Sequence, residues 1–244
     1  MSKILAYILS TLFYILFFLL LVIFHPIQVI CLKVFGYETH KSSVDVLNFF
    51  LMRLVGILGI RINYEGELNL PTDRPIIIVS NHQGTYDIPP IVWLFRKHHP
   101  KFISKVELAK NIPSVSYNLR HSGAALIDRK NRAQAIPEIY KLGKLIAEKN
   151  YAACIFPEGT RSRNGKMKKF KSGGIETLLK AAPNALIVPF VVDGNFRIER
   201  KGMFPLTIGQ KVKYSILDPI DPNKHSAVEV TEMAEKAIRA KLNQ

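Results

Sequence analysis

The chain is poor in cysteine and in acids, and it lacks several signatures that carry common chemistries. Of its 244 residues only Cys31 and Cys154 are cysteines. Cys31 lies in an apolar N-terminal stretch and Cys154 in an apolar run that reads as a buried strand. Both read as small core residues and not as a disulfide pair, which fits a reducing compartment. No Gly-x-Ser-x-Gly elbow occurs, so the usual serine nucleophile of an α/β hydrolase is excluded. The histidines show no metal-ligand spacing, and the neighbours His98 and His99 point to different faces, so no metal is expected. There is no internal repeat and no low-complexity linker. Nineteen acidic residues stand against 34 Lys and Arg, a formal net charge of +15. The basic residues come without stacking aromatics at recognition spacing, which argues against a nucleic-acid partner. A hydrophobic content of 48% and a positive mean hydropathy beside that charge point instead to an anionic membrane surface.

The N-terminal part carries the membrane signal. Residues 4–24 hold no charge and are rich in Leu, Phe and Ile. The run is too long for the core of a secretory signal, and His25-Pro26 follows it in place of a small-residue cleavage site. It therefore reads as a retained anchor. Residues 36–43 are polar and predict a turn. Residues 44–60 predict a second apolar helix, interrupted by Asp45, Asn48 and Arg53. The expected organisation is a membrane helical hairpin over 1–60 and a catalytic domain over 61–244. At about 1.5 Å per residue the first helix is just long enough to cross a hydrocarbon core of roughly 30 Å. The second is too short, and an arginine at its centre would cost about 2.5–3.5 kcal/mol on insertion. It is expected to lie in the interface, with Asp45, Asn48 and Arg53 towards the headgroups. Lys33, Lys41, Arg53 and Arg61 follow the first helix, whereas only Lys3 precedes it. That bias holds the rest of the chain on the cytoplasmic face.

From Arg61 onward the chain alternates between β and α patterns. Strands are expected at 61–64, 76–79, 101–104, 124–127, 152–156, 185–192, 206–208 and 212–217. Helices are expected at 88–97, 132–149, 175–182 and 229–242. In the 132–149 segment, Ile136, Ile139, Leu142 and Ile146 recur at helical spacing. Alternating elements with continuous apolar strands predict an α/β domain whose central sheet is largely parallel and covered by helices on both faces.

The chemistry gathers at strand ends. Ser80-Asn81-His82-Gln83-Gly84-Thr85-Tyr86-Asp87 follows the strand at 76–79 and precedes a helix opening Ile-Pro-Pro. His82 is placed to act as a general base, with Asp87 holding its other ring nitrogen in one tautomer. Three further stretches follow in order: Gly123 to Asp128-Arg129, then Phe156-Pro157-Glu158-Gly159-Thr160-Arg161-Ser162, then Ala185 to Val188-Pro189-Phe190. Together the four motifs, over roughly residues 61–215, resemble the glycerolipid acyltransferase family. Within it the likeness is strongest to the bacterial members that acylate lysophosphatidic acid.

The resemblance implies an enzyme of the bacterial inner membrane. It would transfer an acyl chain from acyl-CoA or acyl-carrier protein to the sn-2 hydroxyl of 1-acyl-sn-glycerol-3-phosphate, giving phosphatidic acid without any cofactor. It implies direct attack by the substrate hydroxyl, with no acyl-enzyme, and shallow embedding of the hairpin. Arg161 suits bidentate binding of the acceptor phosphate, Arg129 is a second clamp, and Lys105 is placed as in the family. Thr160 lies in the same phosphate motif. Gly159 lets the backbone approach a ligand. Glu158 has two readings: contact with the acceptor glycerol, which the resemblance implies, or fixing of the Arg161 loop. The basic loop 163–171 suits a lipid surface or a carrier protein. Gln83-Gly84-Thr85-Tyr86 departs from the commonest family wording, which leaves acceptor and chain-length preference open. Rival readings are another acceptor, such as glycerol-3-phosphate or a lyso-ornithine lipid, and a non-catalytic lipid-binding protein.

Overall fold

Ile76-Ile77-Ile78-Val79 is fully buried on both faces, and it forms the middle of the molecule. The computed structural model describes residues 3–66 and 69–244. Seven strands make one sheet: β1 (Arg61–Glu65), β2 (Ile76–Ser80), β3 (Lys101–Lys105), β4 (Ala125–Ile127), β5 (Ala152–Ile155), β6 (Leu186–Asp193) and β7 (Lys211–Ile216). Their order is β1-β7-β6-β2-β5-β3-β4. Every pairing is parallel except β6 with β7, so the sheet is largely parallel as its apolar strands predict. Both faces of β2 need cover, and successive side chains supply it in opposite directions. Ile77 and Val79 pack with α5 (Arg132–Lys149), α6 (Gly173–Ala181) and α7 (Ala227–Leu242) through Ile146, Leu178 and Ile238. Ile76 and Ile78 pack on the other side, with Ile91 of α3 (Ile88–Leu94), Phe95 and Leu58.

The N-terminal helices belong to that second face. Helix α1 runs from Lys3 to Ile30 and continues through a π-helical stretch, Cys31–Phe35. Phe13 is fully buried in the same cluster as Ile76 and lies 5.6 Å from the Tyr86 ring. The outer face of α1 stays apolar and exposed, with Ile4, Ile8, Ile15 and Phe18 all more than half exposed. Lys3–Phe35 is the one described helix long and apolar enough to cross a membrane.

Helix α2 spans Tyr37–Leu54, so the polar residues 37–43 are helical and not a turn. Their polarity comes from an inverted helix. His40, Asp45 and Asn48 face inward and are buried, whereas Val46 and Phe50 are exposed. This corrects the expected placement of Asp45 and Asn48 towards headgroups; only Arg53 is exposed. The buried polar groups are partly satisfied within the helix, since Asn48 donates to the Val44 carbonyl and Lys41 pairs with Asp45 at 2.6 Å. Helix α2 ends earlier than expected and passes into a 3₁₀ turn, Val55–Leu58. The strand expected at 206–208 is absent. Leu206 instead plugs the core against α1, its N–H donating to Ser10 Oγ at 2.8 Å. A short apolar run reports burial, and burial alone does not specify a ladder.

Candidate active site

The carboxyl ends of β2, β3, β4 and β5 lie side by side, because these strands are parallel neighbours. Lys105 ends β3, and His82, Arg129 and Arg161 follow β2, β4 and β5, so the topology brings all four to one edge of the sheet. Open α/β sheets bind ligands there.

Asp87 is fully buried, and its carboxylate organises the loop after β2. Oδ2 lies 2.7 Å from His82 Nδ1 and accepts the N–H groups of Gln83 at 2.7 Å and Gly84 at 3.0 Å. Oδ1 accepts Asn195 Nδ2 at 2.6 Å. Asn195 Oδ1 in turn accepts the Tyr214 hydroxyl at 3.0 Å. A buried carboxylate with four donors stays in place and fixes the imidazole. The His82 ring stacks on Phe156 with centroids 4.1 Å apart. Its Nε2 makes no hydrogen bond to the described residues and is not sealed from solvent. An imidazole oriented by a carboxylate through Nδ1, with Nε2 open, has the geometry to accept a proton.

The loop is also tied to β6. Asn81 bridges the N–H and carbonyl of Val192, each at 2.8 Å, and Gln83 Oε1 accepts the Gly194 N–H at 2.9 Å. Gly194 has φ of 101°, and a Cβ there would come within 2.5 Å of the Lys211 carbonyl. Only glycine fits that turn, which is also what aims Asn195 at Asp87. Asn195 and Tyr214 are not evident from sequence. The available signal is that Gly194-Asn195 follows β6 at the same sheet edge as the other motifs.

Glu158 is 4% exposed and accepts two backbone groups, the His82 N–H at 2.8 Å and the Lys168 N–H at 2.9 Å. Burial raises its pKa, and these two donors pull it back. The His82 carbonyl accepts the Ser162 N–H at 2.7 Å. The two principal motifs are thus stitched together through the backbone. Gly159 has φ of 72°, and a Cβ there would meet nothing within 4 Å; its glycine is required by the left-handed turn, not by crowding. The Gly159 carbonyl accepts Arg129 NH1 at 2.7 Å. Lys168 Nζ donates to Thr160 Oγ1 at 2.6 Å.

Arg129, Arg161 and Lys105 are exposed, and none of them is among the ion pairs of the described residues. Burial, then the nearby charge of Arg161, lowers the Arg129 pKa, while Glu107 opposes them. Two neighbouring guanidiniums, neither of them in an ion pair among the described residues, make an anion cradle. Cys154 is fully buried in β5, and burial followed by the Asp87 charge pushes its thiol pKa well up. That thiol is unsuited to act as a nucleophile.

A buried His-Asp pair and two exposed arginines, at the carboxyl ends of neighbouring parallel strands, make a candidate site for proton transfer on an anionic ligand. Residues 61–193, more than half of the chain, match the family model described as Acyltransferase, and the chain belongs to that family. Its relatives narrow the likeness. The 1-acyl-sn-glycerol-3-phosphate acyltransferase of Limnanthes douglasii is 32% identical over 160 residues, covering 64% of this chain and 55% of the relative. The protein of the same name from Borreliella burgdorferi is 32% identical over 158 residues, covering 63% of this chain and 62% of the relative. The chain spans about half to two thirds of the length of the curated relatives it matches. The crystal structure of the 1-acyl-sn-glycerophosphate (LPA) acyltransferase PlsC from Thermotoga maritima matches with a TM-score of 0.79 at 26% identity. That match covers 100% of this chain and 97% of the other.

Proposed function

We propose that this protein transfers an acyl chain from an acyl thioester to the sn-2 hydroxyl of 1-acyl-sn-glycerol-3-phosphate, giving phosphatidic acid. The observation that carries the reading is the buried Asp87 carboxylate 2.7 Å from His82 Nδ1, with Nε2 open beside the arginine cradle. The activities named for the relatives agree with it.

In this reading His82 Nε2 takes the hydroxyl proton as the acceptor oxygen attacks the thioester carbonyl. The C–S bond then breaks, and the imidazolium returns its proton to the leaving thiolate. Asp87 stabilises the imidazolium and fixes its tautomer. Arg161 and Arg129 hold the acceptor phosphate, with Lys105 at the margin of the same cradle. Glu158 works as a positioning residue: its oxygens hold the backbone of His82 and of Lys168, which favours the loop-fixing role over contact with glycerol. Gly159 and Thr160 shape and brace that loop. The donor is acyl-CoA or acyl-carrier protein, and no further cofactor is needed, since the base and the two substrates supply every atom and proton.

The protein acts at the cytoplasmic face of the inner membrane. The exposed apolar side of α1, joined by Val46 and Phe50 of α2, is the surface that enters the lipid. Alkaline carbonate should leave the protein in the membrane fraction; release into the supernatant would contradict the embedding. The catalytic reading is tested by offering purified enzyme a panel of acceptors with labelled acyl-CoA and acyl-carrier protein. Preferred labelling of 1-acyl-glycerol-3-phosphate is expected. Turnover confined to glycerol-3-phosphate or to a lyso-ornithine lipid would replace the acceptor.

A further inference from the structure

A second cluster of buried ionisable groups lies at the opposite edge of the sheet from His82. There α2 crosses the start of β3 and leaves a cavity of about 30 Å³, against the roughly 10–15 Å³ that one water needs. Tyr37, His40 and Lys41 of α2 line it, with His99 and Lys101 from the chain entering β3 and Asn118 from α4 (Val115–His121).

Lys101 is only 4% exposed and pairs with no carboxylate among the described residues. Its ammonium contacts the Tyr37 hydroxyl and sits 4.8 and 5.1 Å from the ring centroids of Tyr37 and Tyr151. His40 is fully buried, and among the described residues neither of its ring nitrogens has a hydrogen-bond partner; nor has Nδ1 of His99. Buried polar groups are rarely left so. The one carboxylate lining the cavity, Asp45, is already paired with Lys41 at 2.6 Å. Glu38 stands 3.9 Å from His99 Nε2 but is largely exposed, so within the cavity two ammonium groups face one carboxylate.

The titration shifts agree. Burial, then the Lys41 charge, lowers Lys101 to about 8, with Asp45 and Glu38 opposing. Burial also lowers His40 and His99 to about 4. The charges of His121 and Lys101 add for His40, and those of Lys41, Lys101 and His98 for His99. Both imidazoles are therefore neutral at physiological pH, each with one N–H to offer. A cluster of buried donors around a cavity, with more ammonium than carboxylate groups lining it, suits an anion.

We propose that this cavity binds a phosphate-class oxyanion, held by the Lys101 ammonium and by N–H groups of His40 and His99. The bound anion would tie α2 to β3 and to Tyr151, and so fix the N-terminal helices on the sheet. Inorganic phosphate and the phosphate of a lipid headgroup share the required chemistry.

The test uses the full-length protein. Calorimetry with inorganic phosphate at constant ionic strength comes first, in wild type and in Arg161→Ala, which removes one of the two guanidiniums of the arginine cradle. The thermal midpoint is then measured in phosphatidylcholine bilayers with and without phosphatidic acid. Arg161→Ala should still respond, either to phosphate (a free ion) or to phosphatidic acid alone (a headgroup). Adding Lys101→Met should weaken that binding roughly 10- to 100-fold, or abolish the midpoint rise. If Lys101→Met does not fold, His40→Phe should weaken the same response. No response of Arg161→Ala in either arm overturns the proposal, as does a response unchanged by Lys101→Met or, in its place, by His40→Phe. Neither result bears on the acyl-transfer reading, which rests on other residues.

Discussion

His82 and His40 are both buried imidazoles, and they sit at opposite edges of the same sheet in opposite states. His82 has Nδ1 held by Asp87, whose carboxylate takes three further donors, and only its Nε2 is left open. His40 is more deeply buried, yet among the described residues both of its nitrogens lack hydrogen-bond partners, and its close neighbours include a cation. Burial therefore does not distinguish a catalytic histidine. What distinguishes it is a satisfied set of partners that leaves one nitrogen aimed outward. An unsatisfied set marks a place where a further group belongs.

Changes on the His82 side should be severe, and on the His40 side mild. Asp87→Asn should lower turnover roughly 10²- to 10⁴-fold by favouring the wrong tautomer and removing the counter-charge; initial rates with labelled donor measure it. Arg161→Ala should raise the acceptor KM roughly 10- to 100-fold, the loss of a charge-assisted bond of about 1.5–3 kcal/mol. A rise confined to the donor KM would move Arg161 to the thioester side. Asn195→Ala should lower kcat on the order of tenfold, about 1.4 kcal/mol, with the acceptor KM little changed, because Asn195 acts only through Asp87. An effect on KM alone would mean that it touches substrate. His40→Phe should leave the thermal midpoint unchanged or raised in phosphate-free, lipid-free detergent, since replacing an unpartnered polar group with an apolar one costs little. A fall of many degrees would show that His40 is partnered and would break the contrast.

The sheet and the His82 side were legible in the sequence because the signals there are local. Strand β2 is a run of four β-branched residues, and His82 and Asp87 are five residues apart on one loop. The parallel order then places Arg129 and Arg161 without further information. Asn195 and Tyr214 were not legible, because Asn195, just after β6, reaches Asp87 across 108 residues of chain, and Tyr214 of β7 joins only through Asn195, 19 residues further on; no spacing rule spans that. The polar start of α2 misled for a related reason. His40 and Asp45 look like turn or headgroup residues, but the exposed apolar face of α2 turns its polar face inward. In a helix that meets lipid, outward polarity is no longer the default.

The central claim is that His82 is the base. Its most direct test is the rate of acyl transfer to 1-acyl-glycerol-3-phosphate by membrane-inserted His82→Ala, matched for amount and folding with the wild type. A loss of at least about 10²-fold with unchanged membrane content is expected. Retention of more than about a tenth of the wild-type rate would contradict it.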